Sequence, residues 1–376
     1  MAPTPPVGWN SWNTFGAEVN EDVVRETAEA FVDHGLREAG YRYVVVDDFW
    51  EADERDSRGR LQAHPERFPN GMKALADHVH RLGLKFGIYT CAGTHTCGRR
   101  PGSYGFEEID AQTFADWGVD FVKVDFCHKP LGVDGPTLYK RMGQALRQTG
   151  RPILFSACEW GTTEPWLWAH EAGCHMWRTT GDIVDSWESI AKIGFSQAGL
   201  ERHAGPNRWN DPDMLVVGMH GKGNVGVAGC TDREYRFHFA LWCLLAAPLM
   251  IGCDVRDMTP ETKATLTNPG AIAVDQDPLE VPASRIGADW NQWDWENYQV
   301  WGRPLADGSV AVGLFNQSSD ESPRLMTAPW EAFHIAPNRK CRVEDVWTGE
   351  RLAETTVHHT MPVAPHDCAF IRIRPI

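Results

Sequence analysis

Over about the first 280 residues, short β-branched runs alternate with amphipathic helical stretches eight times, and this repetition constrains the fold more than any other feature. The strand-like runs are Val7–Trp12, Tyr41–Asp47, Lys85–Tyr89, Asp120–Phe126, Ile153–Ala157, Met176–Thr180, Trp209–Val216 and Leu249–Cys253. Helical patterns follow each one: Asn20 (as cap) through Glu38, Gly71–Leu82, Glu107–Trp117, Thr137–Gln148, Glu164–Ala172, Ser186–Ala198, Asp232–Ala246 and Pro260–Leu266. A run such as YRYVVVD is nearly continuous in apolar character, as a strand covered on both faces must be. Regular alternation of this kind predicts a parallel sheet, and eight repeats in this length predict a (β/α)8 barrel, since an open doubly wound sheet has fewer strands. After about Pro282 the segments become short and alternating. Val300–Leu305 and Ser309–Phe315 flank Asp307-Gly308, a hairpin signal. Arg342–Trp347, Glu354–His359 and Ala369–Arg374 read as further strands of a small antiparallel β-sandwich. The expected division is a catalytic barrel over 1–284 and an antiparallel β domain over 285–376.

Charge and composition narrow the function. With 51 acidic and 36 basic residues the net charge is −15, which disfavours nucleic acid and anionic membrane as partners. No run approaches the roughly 20 apolar residues of a membrane span. The segment MAPTPPVGWNSW has neither a basic n-region nor an apolar h-region, so a cytoplasmic location is expected, with a processed exported form as the alternative. The 10 cysteines include no CxxC pair and are too sparse for a disulfide scaffold. The 17 tryptophans are unusual, and their flat apolar faces suit sugar rings as well as cores.

Barrel enzymes place their chemistry at the C-terminal ends of the strands. Reading those ends in order gives Trp9 and Trp12, then Asp47-Asp48, Tyr89, Lys123 with Asp125, Cys158-Glu159-Trp160, Arg178 with Asp182, and Asp211 with Asp213. One aspartate at a strand end is often a helix cap; a whole rim of carboxylates, cations and tryptophans is hard to explain that way. Such a rim suits a neutral sugar, and two further carboxylates would perform glycoside hydrolysis. Alternation on one strand points Lys123 and Asp125 into the same lumen, where the ammonium is expected to lower the Asp125 pKa and keep it an ionised nucleophile. Asp182 lies past its strand end, where a less solvated carboxyl would hold a proton and act as the acid. The alternatives are a barrel-core ion pair for Lys123 and Asp125, and a cap of the helix near Ser186 for Asp182.

The motifs GWNSW, DDFW, KVDFC, CEWG, WRTTGD and WNDPDML occur in that order from about Thr4 to Pro278. Together they resemble the clan D glycosidases of the α-galactosidase/melibiase type, glycoside hydrolase family 27. The resemblance implies a (β/α)8 barrel with a C-terminal β domain, a retaining double displacement, no metal and no cofactor, and a small-molecule or oligosaccharide galactoside as substrate. The oligomeric state stays open. It further implies Asp125 as nucleophile and Asp182 as acid/base. By the same resemblance Asp47 and Asp48 bind at the O4/O6 side, Lys123 and Arg178 bind other hydroxyls, and Asp213, Tyr89 and Trp12 line the pocket. It pairs Cys97 with Cys127 and Cys158 with Cys174 as disulfides, and puts Cys158 and Trp160 on the loop meeting the sugar 2-position.

Within that resemblance the bulky Trp160 is expected to exclude the acetamido group of an α-N-acetylgalactosaminidase substrate. Asp48 leaves room for the CH2OH arm that β-L-arabinopyranosidases crowd out. α-Galactosidase is therefore the leading reading, with those two specificities, or a non-catalytic sugar-binding protein, as alternatives. Two departures stand out: Gly16 and Phe49 replace a common cysteine pair, and Cys91 stands where many relatives carry Asp. The stretch Gly221–Gly226 matches GxGxxG but opens no helix after a strand, so it reads as a barrel-mouth loop. His358, His359 and His366 have no metal-site spacing.

Overall fold

A computed structural model describes residues 1–286 and 296–376, and the eightfold alternation forms a parallel sheet curled into a barrel. Its strands are β1 Val7–Asn10, β2 Tyr43–Val46, β3 Lys85–Cys91, β4 Phe121–Asp125, β5 Leu154–Cys158, β6 Met176–Arg178, β7 Trp209–Asp211 and β8 Leu249–Ile251. They pair in the order β7-β6-β5-β4-β3-β2-β1-β8. The seam is closed just past β7, where Leu215 bridges Ile251 in parallel and its amide donates to the Met250 carbonyl at 2.8 Å.

Alternation along the strands sorts their side chains into two sets. Val44, Val46, Ile88, Val122, Val124 and Phe155 face outward into the core shared with the helices. Tyr43, Val45, Phe121, Leu154, Met176 and Trp209 fill the lumen floor. Two residues higher on β4, β6 and β7 the same inward face carries Lys123, Arg178 and Asp211 instead. The sequence therefore builds an apolar plug below and a polar mouth above.

Helix ends follow local chemistry, with two departures from the sequence reading. Asn20 does cap the first long helix, its side chain accepting from the Val23 amide, but that helix runs only Glu21–Asp33. Gly35 at φ 78° breaks the run, and a single turn resumes at Leu36–Ala39, so no continuous helix reaches Glu38. The segment Glu164–Ala172 is likewise not one helix. Glu164 at φ 54° is followed by a 3-10 turn Pro165–Leu167 and a single α turn Ala169–Ala172.

The second domain has a six-stranded antiparallel sheet facing a two-stranded ribbon. The sheet contains β9 Ser284–Arg285, β10 Tyr298–Pro304, β11 Val310–Asn316, β13 Cys341–Asp345, β14 Arg351–Thr355 and β16 Asp367–Pro375; the ribbon pairs β12 Arg324–Pro329 with β15 His358–Val363. Val312, Leu314, Val343 and Ile371 from the sheet pack on Met326, Ala328 and Val363 from the ribbon. The expected strand Glu354–His359 instead straddles the turn at 356–357, taking in the end of β14 and the start of β15, and no strand was expected over β12. The domain docks on the barrel through aromatics: the Phe315 ring lies 4.9 Å from Phe237, and Trp301 lies 6.2 Å from Phe195. His366 stacks on Trp187 at this boundary, with Nδ1 2.8 Å from Glu234. Among the described residues no helix is long and apolar enough to cross a membrane.

Candidate active site

Strand tops β2, β3, β4 and β6, with the loops after β1, β5, β6 and β7, converge on one pocket at the C-terminal mouth. Asp47, Asp48, Tyr89, Lys123, Asp125 and Arg178 line it from strand ends, and Trp12, Trp160, Asp182 and Asp213 from loops. Asn13, Cys97 and Met214 complete the wall. Asn13 and Met214 carry no titratable signal in the sequence, although Met214 lies inside WNDPDML and Asn13 directly follows GWNSW.

Asp47 is the hub of one side. Its Oδ2 accepts from Lys123 Nζ at 2.8 Å and Asn10 Nδ2 at 2.6 Å, and its Oδ1 accepts from the Asp48 amide at 2.9 Å. Lys123 is thus ion-paired with Asp47, not with Asp125 as its place two residues before Asp125 implied. Asp48 accepts from the amides of Phe49 at 2.8 Å and Gly98 at 2.7 Å. Burial nevertheless raises its pKa above the ordinary carboxylate value. Glycine is required at 98, because a Cβ there would stand 2.6 Å from the Phe49 ring and 3.0 Å from Asp48 Oδ2.

Asp125 ends β4 on the pocket floor, 6% exposed. Its Oδ2 accepts from the Tyr89 hydroxyl at 2.9 Å and its Oδ1 from the Phe126 amide at 2.8 Å. Burial pushes its pKa up to about 6, with the Lys123 charge and these donors pulling the other way. The expectation of a depressed pKa is therefore corrected: the ammonium reduces the desolvation penalty without overcoming it. Cys97 and Cys127 form a disulfide beside this carboxylate, with Cys97 Sγ 3.3 Å from Asp125 Oδ2. The ligand atoms of Cys97, Asp125 and Cys127 lie within 4.8 Å of one another, but the disulfide leaves neither sulfur a thiolate to offer a metal ion. Cys91 is a buried thiol that donates to the Cys127 carbonyl at 3.1 Å.

Across the pocket Arg178 serves two carboxylates. Its Nη2 donates to Asp182 Oδ1 at 2.9 Å, and its Nη1 lies 3.1 Å from Asp213 Oδ1. The Asp182 side chain is 58% exposed. Partial burial opposes ionisation there, but the charges of Arg178 and Lys123 outweigh it and hold the pKa below the usual value. This corrects the expectation of a poorly solvated carboxyl, because the loop lifts Asp182 toward solvent while Arg178 reaches it from below. Nor does Asp182 cap the following helix; Ser186 does, accepting from the Ser189 amide. Asp213 is held at φ 93°, a strained conformation for a non-glycine, with its Oδ2 accepting from the Ile183 amide at 2.7 Å. Asp211 below it is buried and pushed up to about 6.

Trp160 also has a left-handed backbone, φ 63°, and meets Phe126 edge-on at 6.1 Å. Trp12 stacks parallel to Phe49 at 6.3 Å. Cys158 lies behind the lining, its Sγ 3.6 Å from Arg178 Nη1. The expected Cys158–Cys174 disulfide is absent: both are free, buried thiols. Cys158 ends β5 at the mouth, whereas Cys174 precedes β6 at the opposite end of the barrel, so the chain direction keeps them apart.

Comparison with known proteins gives a consistent result. The family model described as alpha galactosidase A matches residues 4–277, and the one described as alpha galactosidase C-terminal beta sandwich domain matches residues 296–373. An alpha-galactosidase of Cyamopsis tetragonoloba is 43% identical over all of this chain and 87% of its own length. Alpha-galactosidase 3 of Arabidopsis thaliana is 44% identical over all of this chain and 83% of its own. The crystal structure of alpha-galactosidase I from Mortierella vinacea superposes with a TM-score of 0.90 at 35% identity, covering 99% of this chain and 97% of that one.

Proposed function

This chain belongs to the α-galactosidase (melibiase) family, glycoside hydrolase family 27, and on that premise we propose that Asp125 and Asp182 run a retaining double displacement on terminal α-D-galactosyl groups. The protein is an α-galactoside hydrolase. The observation that carries the mechanism is that one pocket holds two carboxylates in opposed settings, Asp125 on the buried floor and Asp182 on a half-exposed loop.

In the first step an Asp125 oxygen bonds to the anomeric carbon as the bond to the aglycone oxygen breaks, and Asp182 gives that oxygen its proton. In the second, Asp182 takes a proton from water, which attacks the anomeric carbon and releases galactose and the Asp125 carboxylate. Tyr89 and the Phe126 amide hold Asp125 against rotation. A galactoside entering the pocket displaces water from Asp182, and desolvation raises its affinity for the proton it must donate. Asp47, Asp48, Lys123 and Arg178 supply fixed acceptors and donors for sugar hydroxyls, Asp48 toward the CH2OH arm, while Trp160 excludes a 2-acetamido group.

The test is Asp182→Ala, read as kcat/KM on an activated aryl α-galactoside and on melibiose, since kcat/KM reports the first chemical step. Melibiose is expected to suffer far more, because its poor leaving group departs only when protonated; equal losses refute the acid role. In the same variant the aryl substrate requires only an ionised Asp125, so kcat/KM should rise with pH through about 6. A surviving limb centred below about 4, in the ordinary carboxylate range, would contradict the raised Asp125 pKa.

A further inference from the structure

The glycine-rich stretch 221–226, which fits no dinucleotide site, straps two walls of the pocket together. Among the described residues Asp182 has one side-chain partner, Arg178, so its position depends on the backbone of residues 179–185. The strand side of that loop is tied by the Thr179 amide to the Asp211 carbonyl at 2.9 Å and by the Ile183 amide to Asp213 Oδ2 at 2.7 Å. The far side is tied by Asp185, which is fully buried. Its Oδ1 and Oδ2 lie 2.9 and 3.0 Å from the Tyr235 hydroxyl that donates to them, and Oδ2 accepts from the Gly221 amide at 2.7 Å. Its own amide donates to the Val225 carbonyl at 3.1 Å, and its carbonyl accepts from the Gly229 amide at 3.0 Å. The Tyr235 hydroxyl in turn accepts from the His220 amide at 2.7 Å, so the start of the strap is fixed as well.

The other edge of the strap lies on the segment that carries Trp12. The Asn224 and Val225 amides donate to the Thr14 and Asn13 carbonyls at 3.1 and 3.0 Å, and Asn224 Nδ2 reaches the Trp12 carbonyl at 3.3 Å. Contact this close requires glycine. A Cβ on Gly223, at φ 82°, would stand 2.7 Å from the Thr14 Cα, and one on Gly226 would stand 2.4 Å from the Lys222 carbonyl oxygen. The motif's spacing is thus explained by backbone crowding and needs no phosphate.

We propose that Asp185, clamped by Tyr235 and the 221–226 strap, is a positioning residue for the acid/base: it sets where the Asp182 carboxyl stands over the leaving oxygen. The proposal rests on the reading of Asp182 given above, and its test keeps the two separable. Asp185→Asn, Tyr235→Phe and Asp182→Ala are compared in the full chain, by kcat/KM on melibiose and on an activated aryl α-galactoside. Asn at 185 turns an amide NH2 toward groups that are themselves donors, and Phe at 235 removes one donor at nearly unchanged volume. Displacing a catalytic group by about 1 Å costs on the order of 100-fold, so melibiose hydrolysis should fall by about 10- to 100-fold in Asp185→Asn. The aryl galactoside should lose several-fold less, and Tyr235→Phe should follow the same ranking with smaller losses. A merely structural role would lower both substrates by one factor, and that result, or no loss in either, overturns the proposal. If Asp185→Asn does not fold, Tyr235→Phe decides alone. Leaving-group dependence in Asp182→Ala but not in the other two variants removes only the positioning role. Its absence in Asp182→Ala removes the acid/base reading and the proposal with it.

Discussion

At the barrel mouth Asp47, Asp48, Asp125, Arg178 and Asp213 are each 6% exposed or less, whereas on the C-terminal sheet Asp307 meets Arg372 and Arg374 with all three side chains 29–38% exposed. The two regions are both charged and treat their charges differently. On the sheet, Asp307 meets Arg372 at 2.6 Å and Arg374 at 2.9 Å directly, but at a solvent-exposed edge where water screens the pairs. At the mouth, each carboxylate accepts directed bonds from backbone amides or from one cation, and burial raises Asp48, Asp125, Asp211 and Asp213 toward the neutral form. Such charges are costly to hold, and what they provide is a rigid, dry set of acceptors and donors that need not reorganise around a sugar. The strained backbones of Trp160 and Asp213 fall in the same region.

Four substitutions, in descending order of expected effect, test that contrast. Asp125→Asn removes the nucleophile while keeping its shape. Activity should fall on the order of 10⁴-fold or more while the thermal midpoint and galactose binding stay close to wild type. Trapping with a fluorosugar should label Asp125 in the wild type, and labelling of Asp47, Asp48 or Asp213 instead would reject the assignment.

Lys123→Met should cost about 3–5 kcal/mol in denaturant unfolding, because Asp47 is left as a buried charge with only Asn10 and the Asp48 amide to answer it. Removing that positive charge also favours the protonated form of Asp125, so the acid limb of kcat/KM should move above about 6. A stability loss no larger than that of a surface pair would show that the mouth is less dry than its exposure implies.

Asp48→Glu is expected to shift the kcat/KM ratio of nitrophenyl α-galactoside to β-L-arabinopyranoside toward the arabinoside by about tenfold, since the added methylene fills the space of the missing arm. An unchanged ratio would take Asp48 out of the specificity argument. Arg372→Ala, on the sheet, should change stability by about 1 kcal/mol or less and leave kcat unaltered, because Arg374 still answers Asp307 in water.

Much of the site was legible because a barrel puts strand ends on one rim. The alternation of VKVD on β4 is enough to face Lys123 and Asp125 into the lumen, and both line the pocket. Legibility failed where the partner is distant or neutral. Lys123 binds Asp47, 76 residues away on another strand, and spacing along one strand says nothing of that. The strand Arg324–Pro329 alternates weakly and ends in proline, so its sequence carries little strand signal, and it is stabilised by its partner β15. The glycine stretch reads in sequence as a barrel-mouth loop, but its contact with Thr14 depends on barrel closure.

The sequence by itself determined the order of strands and helices, the change to antiparallel β after the barrel, and which side chains face inward, because hydrophobic periodicity and turn chemistry are local properties. Only the tertiary structure decided that Asp125 is pushed up to about 6 while Asp182 is held low, that Arg178 is shared between Asp182 and Asp213, and that Cys158 and Cys174 stay unpaired at opposite ends of the barrel. Those outcomes depend on distance to solvent and to charges brought together by closing the barrel, quantities that no stretch of chain carries alone.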